Sequence, residues 1–272
     1  MTDAYANGGA VALIERGSVC DILVEHSADG RPVSILKRLP PESASCSTYR
    51  HLLEREASLL ARLARPGLPE LLSADVTVSS PWLRYRWLPG ETVAAAWRGA
   101  GAEAARAIAL GLIEHLRYLH NEHGIVHGDV AARNIIVDRR RDAARVALID
   151  FGNAWQRARP WRRLPQPAYR APEQAPGNDW SDPADLFQAG TVIHEVFTGL
   201  RPGALNTLKT EGGLPRAWRR WFQELLDPDP GRRPDAMTAL CRLPGRFRTR
   251  SSLARAFDTK SRRAAWRGEV AI

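Results

Sequence analysis

The chain has 272 residues and a formal net charge of +9, and 44% of its residues are hydrophobic. No apolar run approaches the ~20 residues that a membrane-spanning helix needs, so we expect a soluble, globular protein. Residues 1–7 lack the basic and apolar regions of a secretion signal. The three cysteines are odd in number and scattered, which argues against a disulfide framework. Together these features predict a cytoplasmic protein.

The first ninety or so residues carry strand patterns and one helix pattern. Apolar and β-branched runs between turn residues predict three antiparallel strands at 11–14, 19–24 and 33–39. Leucines at helical spacing predict a helix over 47–64. The segment 82–92 then predicts another strand that runs into a connecting turn.

The rest of the chain is mainly helical in pattern. An apolar stripe predicts a long helix over 102–121. Further helices are predicted at 91–97, 182–198, 215–226 and 235–240. The chain is therefore of the α+β class, with a small sheet-rich part followed by a larger helical part.

Two aspartates and one asparagine lie beside two short apolar runs in the middle of the chain. Asp129 and Asn134 precede the run 135–137, and Asp150 follows the run 146–149. Each run is typical of a short buried strand, which holds a neighbouring polar side chain rigidly. Asp129 would accept the proton of an attacking hydroxyl, while Asn134 and Asp150 would hold magnesium ions that bridge nucleotide phosphates. The pattern predicts phosphoryl transfer.

Five motifs in order make the chain resemble the protein-kinase-like family over about residues 11–242. They are His127-Gly128-Asp129, Asp150-Phe151-Gly152, Ala171-Pro172-Glu173, the helix start at Asp185, and the late Arg233. The resemblance implies a bilobal fold and the use of ATP with Mg²⁺. It divides the chain into a nucleotide-binding lobe (11–88), a catalytic lobe (89–242) and a basic tail (243–272).

The resemblance also implies which residues surround the nucleotide. Lys37 falls where the family places the lysine that grips the α- and β-phosphates, and Glu56 is the acid expected to pair with it. Glu54 is the alternative, but Glu56 is preferred because Leu60 then lies one turn further along the same helix face. The other residues expected near the nucleotide are Gly17, Ile22, Ile35, Tyr85 and Trp87, with Tyr85 near the gatekeeper position.

The phosphate-covering loop departs from the family pattern. Only Gly17 remains of three expected glycines, because Glu15 and Cys20 occupy the other two positions. Glycines allow backbone amides to approach phosphates closely, so this loop indicates weak nucleotide binding. Ile35 also replaces the small alanine that normally flanks adenine. These departures favour a pseudokinase scaffold as one alternative function.

The activation segment departs from the family as well. Gly128 replaces the arginine that reads activation-loop phosphate in many protein kinases. Residues 153–170 contain no Ser or Thr and a single tyrosine, Tyr169, so we do not expect activation by phosphorylation in this loop. The segment carries five arginines and no acid, which could read phosphate or acidic side chains of a substrate.

The motifs disagree on the acceptor. The stretch Val130-Ala131-Ala132-Arg133 resembles tyrosine kinases, and His-Gly-Asp is commoner in small-molecule and sugar kinases, whereas Ala-Pro-Glu and the late arginine favour protein kinases. The sequence therefore predicts an ATP-dependent protein kinase acting on Ser or Thr, with a small-molecule or glycan kinase as another alternative. The tail carries seven arginines and one lysine against Asp258 and Glu269, which suits an acidic partner. We find no specific nucleic-acid signal.

Overall fold

The computed structural model describes residues 10–17, 19–138, 145–156, 167–174, 181–201 and 214–245. The chain divides into two compact units, one ending at Leu88 and the other beginning at Pro89. The predicted α+β fold is confirmed, with a five-stranded antiparallel sheet at the amino end and a helical region after it. Most of the predicted basic tail, from 246 onward, lies outside the described residues.

The first unit is the antiparallel sheet, with strand order β1-β2-β3-β5-β4, together with two helices. Its elements are β1 (Val11–Arg16), β2 (Asp21–His26), β3 (Pro32–Arg38), α1 (Pro41–Ala44), α2 (Ser47–Leu60), β4 (Leu71–Asp75) and β5 (Trp82–Arg86). The three predicted strands are confirmed. Helix α2 ends before the predicted position 64, because the chain tightens into i to i+3 hydrogen bonds at Arg62 and Leu63.

The second unit is mainly helical and contains two small sheets, β6-β8-β9 and β7-β10. Its elements are β6 (Glu91–Thr92), α3 (Val93–Ala96), α4 (Gly101–Arg117), β7 (Ile125–Val126), β8 (Ile135–Asp138), β9 (Arg145–Leu148), β10 (Trp155–Gln156), α5 (Asp182–Thr198), α6 (Arg216–Leu225) and α7 (Ala236–Cys241). A π-helical turn, Tyr118–Glu122, extends α4 to the predicted length. Residues 202–213 lie outside the described residues.

Helix α5 forms the core of the second unit. Ala184 through Val196 are buried apart from Phe187, so this helix is covered on nearly all sides, as its apolar sequence requires. Gly190 lets α6 approach closely, since a Cβ there would lie 3.0 Å from the Leu225 side chain. The aromatic face of α6 packs on α5, with Phe197 and Trp218 ring centroids 5.1 Å apart. None of the helices in the described part of the chain is long and apolar enough to cross a bilayer.

The packed chain of this unit extends to its last described residues. Leu243 is 4% exposed, and Pro244 is also buried. Both belong to the segment that the sequence analysis assigned to the tail. A truncation that tests the tail should therefore keep these residues.

An ion pair joins Glu173 to Arg233. Nη2 of Arg233 lies 2.8 Å from Oε2 of Glu173, and its Nε donates to the carbonyl of Asp227 at 2.7 Å. The Arg233 guanidinium also lies over the Phe187 ring, 4.9 Å from its centroid. The side chain of Arg233 is 0% exposed, so this pair holds the Ala-Pro-Glu segment to the helical unit from inside.

Replacement of this arginine tests its contribution to stability. We expect Arg233→Met to lower the free energy of unfolding by about 3–5 kcal/mol, because it removes the charged partner of a carboxylate whose side chain is only 12% exposed. Its neighbour Arg232 provides the matched control, since its side chain is 75% exposed and pairs with Asp229 at the surface. Arg232→Met should cost no more than about 0.5 kcal/mol. Denaturant unfolding measures both free energies, and equal losses in the two variants would contradict a larger contribution from the Arg233–Glu173 pair.

Candidate active site

An ion pair between β3 and α2 brings together two of the predicted site residues. Nζ of Lys37 lies 3.1 and 2.8 Å from the two carboxylate oxygens of Glu56. The two side chains are only 12% and 3% exposed. Glu54, the alternative partner, is exposed and lies 3.8 Å from His51. The pair therefore forms on the buried face of α2.

Tyr85 completes the environment of the Glu56 carboxylate. Its hydroxyl donates to Oε1 of Glu56 at 2.9 Å, so this oxygen accepts from both Lys37 and Tyr85. The pairing of β3 with β5 sets Tyr85 opposite Ile35. Sequence analysis placed Tyr85 near the nucleotide but missed its contact with Glu56, which joins residues with no local pattern in common.

The remaining residues expected near the nucleotide lie along the same sheet. Ile22 on β2 is paired with Lys37, and the amide of Trp87 donates to the carbonyl of Val33 at 3.0 Å. Gly17 closes the turn between β1 and β2, because its amide donates to the carbonyl of Cys20 at 3.0 Å. A Cβ at Gly17 would lie 2.6 Å from that carbonyl oxygen. The tight turn thus requires this glycine independently of any ligand.

Three oxygen-bearing side chains lie at one end of the β8–β9 pair. The amide of Asn134 donates to the carbonyl of Asp129 at 2.9 Å and to its carboxylate at 3.4 Å. The backbone amide of Ile149, directly before Asp150, donates to the carbonyl of Asn134 at 2.9 Å. Because the Asn134 nitrogen turns toward Asp129, its oxygen faces elsewhere. Carboxylate and amide oxygens of this kind fit Mg²⁺, which prefers oxygen ligands.

Arg133 forms an ion pair with Asp129. Its Nη2 lies 2.9 Å from Oδ2, and its side chain is 53% exposed while that of Asp129 is 5% exposed. Asn134 and Arg133 therefore both contact the same carboxylate oxygen. These contacts hold the Asp129 carboxylate in one orientation.

Asp150 has an unusual backbone conformation. Its φ is 64°, and it is the one non-glycine residue with positive φ in the described parts of the chain. Strain of this kind costs on the order of 1 kcal/mol and is common at functional sites. Phe151 fixes the segment, because it is fully buried and its ring packs edge-on against His127 with centroids 4.9 Å apart.

The buried carboxylate of Asp185 holds the backbone just before Asp129. Its oxygens accept hydrogen bonds from the amides of His127 and Gly128, both at 2.8 Å. Nε2 of His120 lies 2.8 Å from the same carboxylate. Asp185 thus binds the backbone just before Asp129 to α5, the most buried helix of the unit.

Gln188, one turn further along α5, is a positioning residue that sequence analysis missed. Its side-chain oxygen accepts from the amide of Val130 at 2.8 Å, and its nitrogen donates to the side chain of Gln174 at 3.0 Å. It is 0% exposed. Gln188 therefore connects the backbone after Asp129 to the segment after Ala-Pro-Glu. A polar residue three positions after Asp185, on an otherwise apolar helix, was the available signal.

The ring of Trp155 occupies the space beside Gly128. Strand β10 pairs with β7, so that Trp155 lies opposite Val126 and is 2% exposed. A Cβ at Gly128 would lie 2.5 Å from this ring, and the φ of Gly128 is 76°. Any side chain at position 128 would therefore collide with Trp155. The departure from His-Arg-Asp has a steric cause here.

Tyr169, the single hydroxyl of the segment 153–170, is buried and not presented to solvent. It is 3% exposed, and its hydroxyl donates to Oε2 of Glu195 at 2.7 Å. Burial and this bond raise the pKa of Tyr169 to about 12. Four of the five predicted arginines of the segment, Arg157, Arg159, Arg162 and Arg163, lie outside the described residues.

A substitution at Gly128 tests the steric role of Trp155. We expect Gly128→Ala to lower the free energy of unfolding by about 2–4 kcal/mol, since left-handed strain and overpacking add. Gly124→Ala is the matched control, because Gly124 has φ 60° but no atom within 4 Å of an added Cβ. The control should lose only about 1–2 kcal/mol. Equal losses in thermal or denaturant unfolding would exclude a steric contribution from Trp155.

The raised pKa of Tyr169 predicts a loss of stability at alkaline pH. Between pH 10 and pH 12 the unfolded chain releases this proton while the folded chain keeps it, so stability falls as pH rises. The stability that the protonated Tyr169 hydroxyl contributes is fully present below pH 10 and is on the order of 2 kcal/mol. Unfolding of wild type and Tyr169→Phe across this range should show the steeper fall in wild type. Parallel curves would show that Tyr169 titrates normally.

Comparison with known proteins agrees with this geometry. The chain is similar to "Probable serine/threonine-protein kinase PkwA" of Thermomonospora curvata, with 30% identity over 71% of this chain and 26% of the relative. It is also similar to "Serine/threonine-protein kinase fused" of Drosophila melanogaster, with 25% identity over 85% of this chain and 30% of the relative. The chain thus spans less than a third of the length of these relatives. Residues 13–241 match the protein kinase domain family, and the chain belongs to it.

Proposed function

We propose that the chain is an ATP-dependent protein kinase that transfers the γ-phosphoryl group to a Ser or Thr hydroxyl of a protein. The observation that carries this proposal is the convergence of Asp129, Asn134 and Asp150 at one end of β8 and β9. Both relatives described above are named serine/threonine-protein kinases, which supports the choice of acceptor.

The residues of the second unit would prepare the acceptor. Asp129, held by Arg133 and Asn134, would orient the hydroxyl and receive its proton. The oxygens of Asn134 and Asp150 would hold Mg²⁺. When bound, ATP with Mg²⁺ supplies the phosphoryl group and a cation that neutralises its charge.

The residues of the first unit would hold the nucleotide. Lys37 would donate to the α- and β-phosphates, and Glu56 would keep its ammonium group in position. The hydrogen bond from Tyr85 to Glu56 supports this role, because it restrains the carboxylate that orients Lys37. Gly17, Ile22, Ile35, Tyr85 and Trp87 remain predictions for nucleotide contact.

A second candidate function is a scaffold that binds nucleotide weakly. It is favoured by the β1–β2 turn, where buried Cys20 stands at one expected glycine position and Glu15 at another. In this case the arginines of the segment 153–170 and of the basic tail would bind an acidic partner protein. A cytoplasmic location stays a prediction, supported by the three free cysteines.

Substitution of Asp150 distinguishes the two candidates. Asp150→Asn should lower phosphate transfer from ATP by about 100-fold or more, because it removes the charge that would bind Mg²⁺, and it should leave the fold intact. Asp229→Asn is the matched control, because Asp229 lies on a surface turn of the same unit and should keep full activity.

The readouts are phosphate transfer to protein acceptors, magnesium-dependent nucleotide binding and the melting temperature. Wild type that neither transfers phosphate nor binds nucleotide with magnesium would exclude the kinase and favour the scaffold. Activity retained in Asp150→Asn would contradict the metal-binding role of Asp150.

A further inference from the structure

Two arginines flank one buried carboxylate on the second unit, apart from the residues that would perform the transfer. Glu195 lies on α5 and its side chain is 1% exposed. Nε of Arg98 lies 2.9 Å from Oε1, and Nε of Arg201 lies 3.2 Å from Oε2. Tyr169 donates its hydroxyl to Oε2 as well. With three donors around it, this carboxylate is well satisfied and is a poor site for a cation.

The guanidinium groups themselves reach the surface. The side chains of Arg98 and Arg201 are 54% and 44% exposed. Each uses Nε for Glu195, and a guanidinium carries four further N–H donors on its two Nη atoms. The outer parts of both groups are therefore accessible to a ligand while their inner edges stay bonded.

Both arginines are held in place before any ligand arrives. The guanidinium of Arg201 lies over the Tyr169 ring at 5.0 Å, and Nη2 of Arg98 donates to the carbonyl of Gly199 at 3.3 Å. A ligand that binds them loses less side-chain entropy than it would with two mobile arginines. The arrangement is preorganised for recognition.

The positive charge of the two arginines exceeds the negative charge of Glu195. Two guanidinium groups and one carboxylate leave a net charge of +1, with Tyr169 neutral. One arginine suffices to neutralise the charge of the buried carboxylate. One unit of positive charge therefore remains on the half-exposed guanidinium groups at this surface.

The cluster also lies beside the end of the activation segment. Tyr169, which contacts Glu195 and Arg201, directly precedes Arg170 and the Ala-Pro-Glu motif. We propose that Arg98 and Arg201 form a specificity subsite for an acidic side chain of the protein substrate. The planar N–H fork of arginine matches a carboxylate in shape and charge. The proposal rests on the proposed kinase function and names the substrate class, a peptide segment with Asp or Glu near the acceptor hydroxyl.

Matched peptides test this subsite. The peptides share one Ser acceptor and differ only in having Glu, Gln or Lys at the flanking positions, and KM and kcat are measured for each. Wild type should prefer the Glu peptide over the Gln peptide by about three- to tenfold in KM, as two partly exposed ion pairs allow. Arg98→Gln with Arg201→Gln should abolish the preference by raising KM for the Glu peptide to that for the Gln peptide. Arg232→Gln, the exposed control, should keep the wild-type preference.

Two further measurements test the subsite if the double variant is unstable or if wild type phosphorylates no peptide. If loss of both charged partners of Glu195 lowers the melting temperature of the double Gln variant, a double Lys variant replaces it. Arg98→Lys with Arg201→Lys retains the charge but not the planar N–H fork. The preference of this variant for the Glu peptide over the Gln peptide should fall by about half or more relative to wild type. If wild type phosphorylates no peptide, the kinase proposal fails, and anisotropy binding of the labelled Glu and Gln peptides still tests the subsite. An equal affinity for both peptides, or a preference unchanged in both double variants, would overturn the subsite.

Discussion

The backbone just before Asp129 depends on a buried carboxylate that accepts hydrogen bonds from two backbone amides. Asp185 is 0% exposed and accepts from the amides of His127 and Gly128. A buried charge without such donors costs several kcal/mol, so this stretch of backbone and α5 stabilise each other. Gln188 adds a hydrogen bond to Val130 on the other side of Asp129. The position of Asp129 is therefore determined from both sides by one helix.

The activation segment is held at its described ends by packing and ion pairs that need no phosphate. At its start, β10 pairs with β7 and the Trp155 ring lies against Gly128. At its end, Tyr169 donates to Glu195, and Arg233 pairs with Glu173. An arginine at position 128 would collide with Trp155, so a phosphate clamp and this packing exclude each other. That this segment works without phosphorylation stays a prediction.

Much of the fold followed from local patterns. Strand alternation, apolar helical stripes and motif order predicted the three first strands, helices α4 to α7 and the protein kinase family. Strand β4 was missed because Leu71–Asp75 contains no fully buried residue and thus shows little apolar alternation. Helix α2 was overextended because the leucine pattern continues to Leu63, while the backbone leaves the helix after Leu60.

The site was predictable only where chemistry follows motif spacing. Asp129, Asn134 and Asp150 could be named from sequence, and their roles remain predictions. The contacts that orient Glu56 and the backbone beside Asp129 could not, because they join distant residues: Tyr85 and Glu56 are 29 positions apart, and Gln188 and Val130 are 58 apart. Such pairs leave no periodic signal in a single sequence, since each partner alone is an ordinary polar residue on a strand or helix.

The distribution of arginines links regulation to substrate recognition. The chain lacks the arginine that would read its own phosphate at position 128, yet two arginines surround Glu195 at the end of the same segment. An arginine at position 128 would respond to phosphorylation of the chain, whereas the surface pair of Arg98 and Arg201 would respond to the charge of a bound ligand. Since Tyr169 contacts both Glu195 and Arg201, the hydrogen bond that anchors the segment also orients one of these arginines. On the proposed assignment, the positive charge of Arg98 and Arg201 would serve the selection of an acidic substrate.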